Sequence, residues 1–178
     1  MAAGAFGVTA VIGIIIGKSI AHLYTLHKID YYKKAKDIHR LKYEMELCYT
    51  ISGIQKRILR GITECGQKAI SYLVEWLTED RMPNLDQEMI EILRAFNRKH
   101  GLSEHLIQVA LDKSKRQRVI EVLVIIADRE DGKALSFLHS LEDDEDIGYQ
   151  AKRAIQKIVS CRAIKAGCKG FDCHTKKE

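Results

Sequence analysis

Proline occurs once in this sequence, at Pro83. Without that residue to end helices and shape turns, long helices become the expected element. Strands have no case of their own, because valine and isoleucine recur at helical spacing and not in alternating runs. The cysteines, Cys48, Cys65, Cys161, Cys168 and Cys173, are odd in number and irregularly spaced, which makes a poor disulfide framework and points to a reducing compartment. Catalytic signatures are missing as well. The seven histidines are dispersed, and no His-Glu-x-x-His, Gly-x-Ser-x-Gly, phosphate loop or dinucleotide fingerprint occurs. No enzymatic activity and no cofactor are expected on these grounds.

The longest stretch without charge is MAAGAFGVTAVIGIIIG at residues 1–17. Nothing basic precedes the apolar run and the first arginine is Arg40, so it fits neither a secretory signal nor a mitochondrial transit peptide. The expectation is an uncleaved signal anchor over residues 1–27. Ala2 to Gly17 rises only about 24 Å as a helix against a hydrocarbon core of about 30 Å. The span is therefore extended through Ile20, Ala21, Leu23, Tyr24 and Leu26, with Lys18 snorkelling. Gly13 and Gly17 form a small-xxx-small pair that lets another membrane helix approach closely, so a homo-oligomer through the anchor is one expectation.

The net charge of +5 is unevenly spread. Residues 18–60 carry ten Lys/Arg against four Asp/Glu, or +6, and residues 61–178 carry nineteen against twenty, or −1. Lys28, Lys33, Lys34, Lys36, Arg40 and Lys42 make a basic collar beside the apolar segment, suited to anionic lipid and to the cytoplasmic side of a membrane. The expected location is a membrane with the C-terminal part in the cytosol, the mitochondrial outer membrane ahead of the endoplasmic reticulum or a bacterial inner membrane. The −1 balance of the remainder disfavours nucleic acid as a partner.

Residues 28–60 read as one long amphipathic helix. Ile29, Tyr32, Ile38, Leu41, Met45, Cys48, Ile51, Ile54 and Ile58 recur at three and four, with a six-residue step after Tyr32. Residues 61–162 then divide into shorter helices: Gln67 to Thr78, Leu85 to Lys99, Glu104 to Asp112, Lys115 to Asp128, Lys133 to Leu141 and Asp146 to Arg162. Pro83-Asn84 and His100-Gly101 mark stops, and Ser103 reads as an N-cap. Trp76, Leu73 and Leu77 read as core, and Lys115, Arg116 and Arg118 as a wet helix face.

These helices show a period. Leu77, Leu111 and Leu141 close the first helix of three units, at separations of 34 and 30, and Leu93, Leu123 and Ile155 sit midway along the second, at 30 and 32. A period near thirty with two helices per unit is that of an α-solenoid. The third unit, KALSFLHSLEDDEDIGYQAKRAIQKI, resembles a HEAT or armadillo-type repeat: an apolar helix ending in Leu-x-x-Leu, an acidic turn, and a second helix with small residues. Ile147, Ala151, Ala154, Ile155 and Ile158 match the second-helix apolar positions, while Gly148 stands where the family commonly has an arginine that ladders to the acidic turn. The resemblance implies an all-α fold, a short right-handed α-solenoid after the N-terminal transmembrane and long amphipathic helices. It further implies protein binding along a concave helical face, usually without catalysis.

The expected function is thus a membrane-tethered adaptor for an unidentified protein. Two alternatives stay open: a metal-dependent or enzymatic subunit using the tail at residues 163–178, and a small self-assembling membrane protein. Cys168, Cys173 and His174 are weak candidate metal ligands, lacking the tight Cys-x-x-Cys knuckles zinc prefers. The run Glu142 to Asp146 is too short and contiguous for a calcium loop and reads as an inter-helix turn.

Overall fold

A computed structural model describes residues 23–47, 52–79 and 85–167, with side chains at all of these except Ser52 and those beyond Ser160. Among the described residues every regular element is a helix. In chain order they are α1 (residues 23–35), α2 (Ile38–Leu47), α3 (Ser52–Glu64), α4 (Ile70–Thr78), α5 (Gln87–His100), α6 (Leu102–Val109), α7 (Arg116–Ile126), α8 (Gly132–Ser140) and α9 (Gly148–Gly167). Short 3-10 turns lie at Gly66–Ala69 and Lys113–Lys115. The chain forms two compact units, Met1–Ala69 and Ile70–Glu178.

In the first unit the single helix expected over residues 28–60 is replaced by three. The break after α1 has a local cause. Lys36 adopts φ 51°, the left-handed conformation; its N–H donates to Lys33 O at 3.1 Å and that of Asp37 to Tyr32 O at 3.0 Å. That pair of bonds closes the helix as a Schellman motif, with a lysine where glycine is usual. Asp37 then starts α2 by accepting the Arg40 N–H on Oδ1 at 3.1 Å. The chain reverses because α2 packs on α3, which a continuous helix forbids.

Ile29, Leu41, Met45, Ile54, Ile58, Leu59 and Ile62 are buried here. Burying each stabilises the unit by roughly 1.5–3 kcal/mol relative to exposure. Gly61 sits where the three helices meet: a Cβ on it would lie 3.3 Å from Leu41 Cδ1 and 3.5 Å from Lys33 Cβ. Ion pairs tie α1 to its neighbours. Lys28 meets the buried Glu44 at 3.0 Å, Lys33 meets Glu64 at 2.7 Å, and Arg57 grips Asp30 through Nε at 2.9 Å and Nη2 at 2.5 Å.

The transmembrane helix expected over residues 1–27 is not supported among the described residues. No helix among the described residues is long and apolar enough to cross a membrane. The part of the span in view, residues 23–27, belongs to α1, whose following turns carry Lys28, Asp30, Lys33 and Lys34. Those charges are largely committed to α2 and α3. That no described helix is long and apolar enough to span counts against the expected signal anchor and single-pass membrane location; residues 1–22, with Gly13 and Gly17, lie outside the described residues.

The second unit is a stack of helix pairs. The first helices pack in sequence, α4 on α6 and α6 on α8; the second helices do the same, α5 on α7 and α7 on α9. Leu73, Leu77, Leu93, Leu106, Leu123 and Leu138 are wholly buried between them, and Trp76 is nearly so. The second repeat is offset by one residue from the expected register: Leu111 is 74% exposed and Ala110 takes the buried position.

Capping fixes the joints. Gly101, at φ 69°, closes α5 by donating to Asn97 O and immediately opens α6. Ser103 is not the N-cap of α6. Its N–H instead donates to Asn97 Oδ1 at 2.7 Å, so the cap comes from the preceding helix. Asn97 in turn donates through Nδ2 to Asp131 at 2.8 Å, and Asp131 caps α8 by accepting the Ala134 N–H.

Three arginines act at the opposite ends of helices. Arg118 Nε donates to Leu77 O in the last turn of α4 at 3.2 Å, Arg116 Nε to Ala110 O after α6 at 3.0 Å, and Arg94 Nε to Ile125 O in the last turn of α7 at 2.8 Å. Helix C-termini leave carbonyls without intrahelical partners, and here a side chain from elsewhere in the stack supplies the donor. The wet face expected at Arg116 and Arg118 is therefore a structural joint, their side chains being only 24% and 17% exposed.

The acidic run after α8 is a turn, as its composition suggests. Asp144 Oδ1 accepts the N–H groups of Asp146 and Ile147, and Arg116 reaches the same carboxylate at 3.6 Å. Gly148 has a steric reason: a Cβ there would collide with the main-chain oxygen of Glu142.

Candidate functional site

α7 and α9 lie side by side along one face of the stack and leave a groove of ≈ 490 Å³ between them. Its floor is apolar, made by Ile120, Val124 and Ile125 of α7 and Ala154 of α9. Ile120 and Ala154 are buried, whereas Val124 and Ile125 are half-buried and reachable. Gln117 and Glu121 form one rim, and Gln150, Arg153 and Lys157 the other.

On its α9 side the apolar part of the lining is Ala154, a single methyl group, between Gln150, Arg153 and Lys157. The neighbouring seam between α5 and α7 is bridged. Arg94 crosses it to Ile125 O, and Arg98 pairs with Asp128 at 3.6 Å.

The charges on the two rims are unlike in state. Glu121 is paired with Arg118 on its own helix at 3.2 Å. Arg153 lies over the ring of Tyr149 at 5.9 Å, and neither it nor Lys157 meets a carboxylate among the described residues. The groove thus carries two uncompensated cations along the α9 side.

Two other depressions differ from it. One of ≈ 440 Å³ lies over the α5–α6 and α7–α8 joints, and its charges are internally satisfied: Lys133 pairs with Glu104 at 2.5 Å, Arg98 with Asp128, and Asn97 with Asp131. Another of ≈ 660 Å³, on the α6/α8 face, includes Ile107 and Phe137 but shares the same Glu104–Lys133 pair.

The residues singled out from sequence fall elsewhere. Of the basic collar, Lys28 and Lys33 are held in ion pairs, Arg40 lies over the Tyr32 ring at 6.0 Å, Lys42 is half-buried, and Lys34 and Lys36 are exposed. They do not make one free basic surface. The hydrogen bond from Lys28 to Glu44, reinforced by their attraction, holds the Lys28 ammonium above the ordinary lysine pKa. Burial pushes the Cys65 thiol up, and its Sγ donates to Gly61 O at 3.4 Å. Hydrogen bonds from the Ser114 hydroxyl and N–H hold Asp112 below the usual carboxylate value.

Cys168, Cys173 and His174 lie outside the described residues. Among the described residues no group of three or more His, Cys, Asp or Glu side chains is placed to hold a metal ion. The groove residues Gln117, Glu121, Val124, Arg153 and Lys157 were not singled out from sequence as a site. The available signal was the pair of small residues, Ala151 and Ala154, opposite a run of β-branched residues on α7. Comparison with protein-family models, with curated proteins and with solved structures finds no match to this chain.

Proposed function

We propose that this chain is a protein-binding module, a HEAT/armadillo-type stack of helix pairs that takes its partner on the α7/α9 face. The observation that carries the reading is the groove: a surface with an apolar floor left open where the adjoining seam is sealed by arginines. Stacked helix pairs expose long rows of second-helix side chains while their cores stay closed, so such a surface is available without unfolding anything. Half-buried apolar side chains flanked by polar rims are the composition of interaction patches.

Site-specific photocrosslinking in the protein's native cells tests it. A photoreactive residue replacing the exposed Gln117 is expected to give a discrete protein adduct, lost on adding Val124→Arg to the floor. The same residue at Ser136 on α8 is the control. Absence of an adduct at position 117, or equal adducts at both positions, refutes the reading.

A further inference from the structure

We propose that the occupant of the α7/α9 groove is an amphipathic α-helix with an acidic flank, belonging to another protein. The proposal rests on the protein-binding reading above and names the chemistry of the partner.

The length of the groove suits about two turns of helix. Its lining runs from Gln117 to Ile125 on α7 and from Gln150 to Lys157 on α9, which is about 11–12 Å of axis on each side. Two turns present two or three apolar side chains at i, i+3/i+4 and i+7 to one face. The reachable parts of Val124 and Ile125, with the methyl of Ala154 between the walls, are what those side chains would meet.

The walls also select against an extended peptide. Both are helices whose main-chain groups are satisfied within themselves, so they offer no ladder to an incoming strand. An extended segment pressed into the groove would leave its own N–H and C=O groups desolvated and unpaired. A helical segment brings its backbone bonds with it.

Charge sets the flank. Arg153 and Lys157 are four residues apart and therefore neighbours on one side of α9. Neither meets a carboxylate among the described residues, whereas the acid among the described lining residues, Glu121, is already held by Arg118. Carboxylates spaced i, i+4 on the partner match the two cations, whereas lysines there would meet like charge. Two cations over an apolar floor are too few and too greasy a set for a phosphate backbone.

Fluorescence anisotropy with the full chain tests this. The probe is a labelled peptide of about 15 residues, long enough to populate helix, with leucines at i, i+3/i+4 and i+7 and glutamates at i, i+4 along one flank. Binding in the micromolar range is expected, with a lysine-flanked peptide about tenfold weaker. Arg153→Glu with Lys157→Glu, both exposed positions, should reverse that preference, and Val124→Arg should weaken both peptides. Circular dichroism of each variant checks that the fold is kept. Equal binding of a scrambled peptide, indifference to the charge reversal, or a dimer of this chain that Val124→Arg dissolves would each overturn the proposal. So would a duplex oligonucleotide binding through Arg153 and Lys157 where the peptide does not. A crosslink at position 117 combined with failure of the acidic peptide would leave the protein-binding reading standing and remove only this occupant. Failure of both removes the two together.

Discussion

Replacing Asn97 by alanine should be among the most damaging single changes in the second unit. The side chain is 5% exposed and serves two joints at once. Its Oδ1 takes the N–H of Ser103, itself buried, and its Nδ2 meets the Asp131 carboxylate that caps α8. Alanine leaves the buried Ser103 N–H without its side-chain acceptor, which costs about 1–3 kcal/mol. The lost bond to Asp131 adds about 1 kcal/mol, discounted because that carboxylate is half-exposed and water can replace the amide. The total of about 3 kcal/mol is a large share of the roughly 5–15 kcal/mol that holds a domain folded. In urea it should lower the midpoint by about 1–3 M at ordinary slopes. The Ser103 amide should also exchange with solvent far faster than its neighbours on α6. Asn97→Asp separates the two roles. It keeps the acceptor for Ser103 but sets a carboxylate against Asp131, so it should be as harmful as alanine at neutral pH. Like charges raise the pair's affinity for a proton, and a shared proton restores the missing donor, so this variant alone should gain stability as the pH falls toward 4. A loss below about 0.5 kcal/mol for Asn97→Ala, the range of ordinary surface changes, or unchanged exchange at Ser103, would refute the reasoning.

Three further outcomes follow from other contacts. Gly148→Ala should lose about 1–3 kcal/mol in thermal unfolding, because its Cβ meets main chain that only a shift of the whole acidic turn can clear. Gly61→Leu should destabilise the first unit by a similar amount, about 1–3 kcal/mol, read from chemical denaturation, since Leu41 and the Lys33 stem already occupy the space. Glu44→Gln should change the alkaline limb of stability. The Lys28 pKa is raised in the fold above 10.5, so its contribution is complete below that value and is lost as pH rises through the folded pKa. The native chain should therefore lose more stability than the variant between about pH 9 and pH 11.5, spanning the lysine range, and equal losses would remove the Glu44 bond as the cause.

Much of the second unit was legible from apolar spacing because its helices are short, capped and buried on one stripe. Leu93, Leu123 and the Trp76 cluster sit where periodicity puts them, and His100-Gly101 ends α5 as expected. The failures have physical reasons. Leu111 and Ala110 are adjacent, and a one-residue choice at a helix end rests on cap geometry, with Ala110 completing α6 and Leu111 already in the turn. In the first unit the six-residue step after Tyr32 was the visible trace of the Lys36 turn. It was misread because lysine seldom takes the left-handed conformation and offers no signal for it. The basic collar misled because charge counts do not show pairing: Lys28 and Lys33 find Glu44 and Glu64, 16 and 31 residues further on. The groove was hidden for a related reason, since it depends on which arginines are used up.

That last point joins the fold to the proposed function. An arginine has five donors and a long stem, and in this stack its first use is the helix end. Arg94, Arg116 and Arg118 each spend Nε on a carbonyl that the fold would otherwise leave bare. Each also fixes how one helix sits against another, and Arg94 seals the α5/α7 seam as it does so. Arg116 further reaches the acidic turn, taking from the α7 side a link that Gly148, with no side chain, cannot make from α9. Among the described side chains of α9 the pattern stops: Arg153 lies over Tyr149 and Lys157 is exposed, and neither bonds a helix end. The same residue chemistry that closes one seam therefore leaves the next one open and positively charged. The proposed binding surface needs no added loop or insertion: it rests on the apolar floor with Ala154 and on two α9 cations that meet no carboxylate among the described residues.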